Sequence, residues 1–116
     1  MRNIQHHTIV ITCNDRNVLE SIREKAIQLY KSDMEASNGS KLLTEIHESL
    51  INSYFTFFVI PDGSKEGYDA SDDADIIREK LIAFIKPLAL SSDYHLSYVE
   101  LTFGDDTGKA VILNHH

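Results

Sequence analysis

The chain has 116 residues, 42% of them hydrophobic and 25% charged, enough to bury one core without metal or disulfide support. A formal charge of −7 and a pI near 5.2 argue against charge-driven binding to nucleic acid or to an anionic membrane. A single cysteine, Cys13, excludes an internal disulfide.

The N-terminal apolar run is too short and too interrupted for a signal peptide or a membrane span, so a cytoplasmic location is expected. Residues 7–13 read as a strand, because the run Thr8-Ile9-Val10-Ile11-Thr12 is β-branched. The alternation places His7, Ile9, Ile11 and Cys13 on one face and His6, Thr8, Val10 and Thr12 on the other. Cys13 is then a buried, inert thiol.

Asn14 or Asp15 caps a helix whose apolar stripe is Val18, Leu19, Ile22, Ala26, Leu29 and Tyr30. Ser37-Asn38-Gly39-Ser40 ends that segment with turn chemistry. Residues 41–48 fit a strand or a short helix, and Asn52-Ser53 forms the turn into the strongest strand, residues 54–60. Both faces of that strand are largely apolar, which predicts a central position in the sheet.

A Pro61-Asp62-Gly63 turn follows. Residues 54–75 carry six acids against the single base Lys65, a net of −5 out of −7. Ser71 or Asp72 caps a second helix with the stripe Ala74, Ile77, Leu81, Phe84, Ile85 and Leu88. The acids Asp72, Asp73 and Asp75 favour its first turn, and Pro87 marks its end. Residues 94–103 form a long strand, residues 104–108 a turn, and residues 109–113 the last strand. His115 and His116 are set apart as native residues or the remnant of a tag.

The order β-α-β-β-α-β-β predicts one α+β domain over residues 1–116. It matches the ferredoxin-like split βαβ plan with an extra C-terminal strand. Right-handed crossovers put both helices on one sheet face. The other face is expected to be open and to carry Val10, Phe58, Ile60, Tyr94, Leu96 and Tyr98. An open apolar face of that kind is a surface for a homo-oligomer, expected to be a dimer.

Three groups of residues are candidates for chemistry. The loop Asp62, Ser64, Lys65, Glu66 and Tyr68 is the expected contact surface for a ligand or partner, with His6 and His7 as neighbours. Asp62, Ser64, Glu66 and Asp73 can be laid on a twelve-residue calcium loop, but Asp73 stands where a bidentate Glu is usual and a strand precedes the loop where a helix should. His7 with His47 or His95 is the candidate zinc set, and His47 with Glu45 or Glu48, or His95 with Glu100, the candidate acid/base pairs. No nucleophile elbow, phosphate loop or CxxC motif is present, and no cofactor is expected.

Three stretches, NIQHHTIVIT, FFVIPDGSKEGYDASDDAD and YVELTFGDDTG, resemble a family of small uncharacterised proteins of bacteriophages and prophages. Here Tyr68 stands where that family is expected to carry Trp. The resemblance transfers no catalytic residue. It implies a phage accessory protein in a bacterial cytoplasm, of a kind that blocks host defence or host enzymes. The leading expectation is therefore a non-enzymatic binding protein that engages a host protein or sequesters a small molecule. A small metal-dependent or acid/base hydrolase is the alternative. An acidic nucleic-acid mimic is the third reading, and requires rows of carboxylates along one face.

Overall fold

In the computed structural model residues 5–34, 39–63, 69–104 and 109–116 are described. The elements run β1 (His6–Cys13), α1 (Arg16–Met34), a 3₁₀ turn (Gly39–Leu42), β2 (His47–Glu48), β3 (Phe55–Val59), α2 (Asp69–Ala89), β4 (Leu96–Phe103) and β5 (Val111–His115). The chain is α+β. Its five strands form one sheet in the order β2-β3-β1-β4-β5, and every neighbouring pair is antiparallel.

The period of two in the strands sets the layers. Ile9, Ile11 and Cys13 of β1 are fully buried, opposite Val59, Phe57 and Phe55 on one side and Glu100, Tyr98 and Leu96 on the other. The two helices pack against each other and close over this face with Leu19, Ile22, Ala26, Ala74, Ile77, Leu81 and Ile85. The helical stripes read from the sequence are the buried stripes, because 3.6-residue periodicity leaves one solution for each helix.

Asp15 makes the N-cap of α1, its Oδ1 accepting from the amides of Asn17 at 2.9 Å and Val18 at 3.2 Å. Asn14 acts elsewhere. Its Oδ1 accepts from the His95 amide at 2.8 Å and ties the end of β1 to the start of β4. Helix α2 begins at Asp69, ahead of the expected Ser71 or Asp72 cap, and runs through Pro87 to Ala89. Pro87 has no amide to donate and stands near the helix end, where the chain leaves by 3₁₀-type bonds from the Leu90 amide to the Pro87 carbonyl and from Ser91 to Leu88.

The segment 41–48 resolves into both readings. Its start is the 3₁₀ turn, Leu43 makes one bridge to Val59, and only His47–Glu48 is regular strand. Asn52 and Ser53 turn the chain with φ of 68° and 53°, in a loop closed by the Ser49 amide on the Tyr54 carbonyl at 2.7 Å. The last strand is β5 at Val111–His115, two residues beyond the expected 109–113. The two terminal histidines therefore belong to the sheet: His115 lies opposite Val99, and His116 exchanges backbone hydrogen bonds with Tyr98 at 2.9 and 3.1 Å.

The expected open face is corrected in part. Val10, Phe58 and Ile60 are on it. Leu96 and Tyr98 are not, being 3% and 6% exposed beneath the helices, and Tyr94 lies ahead of β4, half-buried against the core. The outward residues of β4 are Ser97, Val99, Leu101 and Phe103, opposite the outward Thr12, Val10, Thr8 and His6 of β1. Among the described residues, no helix is long and apolar enough to cross a membrane.

Candidate functional site

The covered face ends in a polar cleft where β1 begins and β4 finishes. His7 lies opposite Thr102 and one step from Glu100, which stands opposite Ile9. Across β4, Asn114 of β5 pairs with Glu100. Helix α2 presents Asp75, Arg78 and Glu79 at i, i+3 and i+4, one face of its early turns. The resulting cleft has a volume of about 510 Å³ and is lined by Gln5, His7, Asp75, Glu79, Glu100, Thr102, Val111, Leu113 and Asn114.

Glu100 is the anchor. It is 5% exposed, and both its oxygens are engaged: Oε2 meets His7 Nε2 at 2.7 Å, and Oε1 accepts from Asn114 Nδ2 at 2.6 Å. Burial alone pushes this carboxyl up. The hydrogen bonds from His7 and Asn114, with the charges of His7 and Arg78, outweigh burial and hold it below its ordinary value. An ionised carboxylate only accepts, so His7 must carry a proton on Nε2. In the neutral ring Nδ1 is then a lone-pair acceptor, and it stands 3.9 Å from Asp75 Oδ1.

Beneath the cleft lies Arg78, 3% exposed, with one terminal nitrogen donating to Asp75 Oδ1. Its charge also acts on Glu100 and on Tyr30. Tyr30 is fully buried, and burial pushes its hydroxyl up to about 12, Arg78 opposing and Asp62 reinforcing the shift. That hydroxyl has no hydrogen-bond partner among the described residues. An unsatisfied buried hydroxyl carries a desolvation penalty of about 1–3 kcal/mol. Tyr30→Phe is therefore expected to raise the unfolding free energy by about 1 kcal/mol in urea titration. A loss of stability instead would show that the hydroxyl is bonded.

The residues singled out from sequence are distributed as follows. His7 is in the cleft. His6 is not: it projects from the outward face, its ring 5.3 Å from that of Phe103 and against Gly104, where a Cβ would stand 2.7 Å from His6 Cδ2. Asp62 does not line the cleft, and its charge acts on Tyr30. Ser64, Lys65, Glu66 and Tyr68 lie outside the described residues, as do the Asp105 to Gly108 turn residues. Asp73 sits in α2 and is exposed.

The zinc set does not converge. His47 is on the edge strand β2, and His95 joins Asn14 at the opposite end of β1 from His7. Among the described residues, no group of three or more His, Cys, Asp or Glu is placed to hold a metal ion. The pairing of His95 with Glu100 gives way to that of His7 with Glu100, because β1 runs antiparallel to β4 and brings its first residues to the end of β4. No family model, curated protein or solved structure matches the chain.

Sequence reasoning gave Glu100 the wrong histidine and missed Arg78, Asn114 and the place of Asp75 in the cleft. Glu100 did leave a signal: it interrupts the alternation Leu96, Tyr98, Glu100, Thr102 with a charge on the buried period. A carboxylate in that position must find donors, and His7 and Asn114 are those donors.

Proposed function

We propose that the chain is a small non-enzymatic binding protein that takes an ammonium group in the His7–Glu100 cleft. The observation that carries this reading is the 3.9 Å between His7 Nδ1 and Asp75 Oδ1, which face each other as two acceptors when the ring is neutral with its proton on Nε2. Two acceptors at that separation suit one nitrogen donating to both, with bonds near the usual ~2.8 Å. Asp75 and Glu79 supply negative charge at the rim, while Val111 and Leu113 offer apolar wall to the carbon chain of the amine. The group arrives on a free small amine, or on a lysine of a host protein, within the phage or prophage setting that the sequence resemblance implies.

The strand order supports, as the frame for this cleft, the ferredoxin-like split βαβ plan, with β5 added beside β4 to supply Asn114, Val111 and Leu113. The acid/base reading has one observation in its favour, the 2.7 Å contact that orients His7 as a carboxylate orients a general base. The cleft lining offers Thr102 as its one hydroxyl and no thiol, so binding accounts for the geometry with fewer additions. A nucleic-acid mimic is not favoured, since the outward sheet positions hold no carboxylate.

Titration of the protein with n-hexylamine, hexanol and hexanoate, followed by amide and imidazole NMR shifts, tests the proposal. The amine alone is expected to move the signals of His7, Asp75, Val111 and Leu113. Asp75→Asn is expected to weaken it roughly tenfold, the worth of ~1.4 kcal/mol. Equal responses to amine and carboxylate would refute an ammonium site.

A further inference from the structure

The sheet face turned away from the helices is the second feature that the cleft leaves unexplained. Its outward positions are read from the register: His6, Thr8, Val10 and Thr12 in β1, Thr56 and Phe58 in β3, Ser97 to Phe103 alternately in β4, and Ile112 and His115 in β5. None is Asp, Glu, Lys or Arg, in a chain whose net charge is −7. Phe58, Phe103 and Ile112 are 44%, 37% and 60% exposed, and Val10, Val99 and Leu101 lie between them, half-covered. The apolar surface is thus contiguous across β3, β1, β4 and β5, not a scatter of single side chains.

We infer that this face is the interface of a homodimer in which two sheets stack face to face. Charge points to a second copy. Two chains of −7 repel each other wherever acids face acids, and this surface lets them meet without doing so. A partner chosen by charge would find nothing here to read. Area agrees. A strand residue covers roughly 16 Å² of sheet, from the ~4.8 Å spacing and ~3.3 Å rise, so the five strands present about 450 Å² in projection. Side-chain relief raises that figure, and two copies bury about 1,000 Å² in all, the threshold for a specific association. The Thr8, Thr12 and Thr56 side chains do not obstruct the approach, since their hydroxyls are already bonded, Thr8 to the Val59 carbonyl at 2.7 Å and Thr12 with Thr56 at 2.8 Å. Stacked sheets cross at about 30° and keep a ~10 Å layer, which Phe58, Val99 and Leu101 from both copies would fill.

The free edge of β5 offers the competing route, strand addition along Val111–His115. Phe58 separates the two, because β3 and β5 are kept apart by β1 and β4. Multi-angle light scattering on the full chain is expected to give twice 13.2 kDa at micromolar concentrations. Phe58→Asp and, independently, Leu101→Asp are expected to raise the dissociation constant about a hundredfold or more and yield monomer. Circular dichroism melts confirm that each variant is folded, and Ile76→Thr, at an exposed position of α2 away from this face, is expected to leave the dimer intact. A wild-type monomer at hundreds of micromolar overturns the inference. So does a dimer that both aspartate variants leave intact, which would assign association to the β5 edge.

Discussion

Arg78→Ala is expected to lower the unfolding free energy by about 3–5 kcal/mol, a large share of the 5–15 kcal/mol typical of a domain. The guanidinium is 3% exposed, donates to the Asp75 carboxylate, and acts by its charge on an ionised Glu100 and on Tyr30. Its removal damages these partners unequally. Asp75 is half-exposed and can turn to water, whereas Glu100 stays buried with only the hydrogen bonds of His7 and Asn114 to hold it. The loss should therefore run through Glu100. In a Glu100→Gln background the same Arg78→Ala change is expected to be milder by about 0.5–3 kcal/mol, the coupling usual for groups in one network. Arg78→Lys keeps a charge but loses the planar fork, and should fall between wild type and alanine. Urea unfolding of this set of variants measures all three quantities. A loss below about 1 kcal/mol for Arg78→Ala would mean that the guanidinium is not holding the network together.

The helices and the central strands were legible because each rests on one periodicity. Leu19, Ile22, Ala26 and Tyr30 of α1, and Ala74, Ile77, Leu81 and Ile85 of α2, are buried as their spacing requires. In β4 the parity was not legible. Tyr98 and Val99 are both apolar, and a strand with two apolar faces does not say which is covered. The site was harder still. His7 comes near Asp75, Arg78 and Glu100 only through the pairing of β1 with β4 and the packing of α2, contacts 68 to 93 positions apart in sequence. Local acid density drew attention to residues 62–73. The chemistry instead gathers where a single buried carboxylate on β4 draws donors from two neighbouring strands and a charge from a helix.

Glu100 also fixes how the fold meets acid. Its folded pKa lies below the ordinary 4.5, so the ionised form is preferred more in the folded chain than in the unfolded one. Its contribution is therefore complete above pH 4.5 and drains away as the pH falls from there through the lower folded value. Glu100→Leu removes the acceptor for both His7 and Asn114. It is expected to cost about 2–3 kcal/mol near pH 7, since hydrogen bonds to charged groups are worth ~1.5–3 kcal/mol and water can reach part of what is left. Glu100→Gln keeps the shape and an acceptor for Asn114, and its penalty near pH 7 is expected to be about 1 kcal/mol. The decisive reading is the pH series. The stability gap between wild type and Glu100→Gln should be widest above pH 4.5 and close progressively below it, because a protonated Glu100 is itself nearly an amide in its bonding. A gap that stays constant across that window, or widens in acid, would show that Glu100 is not held ionised by His7 and Asn114, and would remove the acceptor geometry of His7 on which the ammonium site rests.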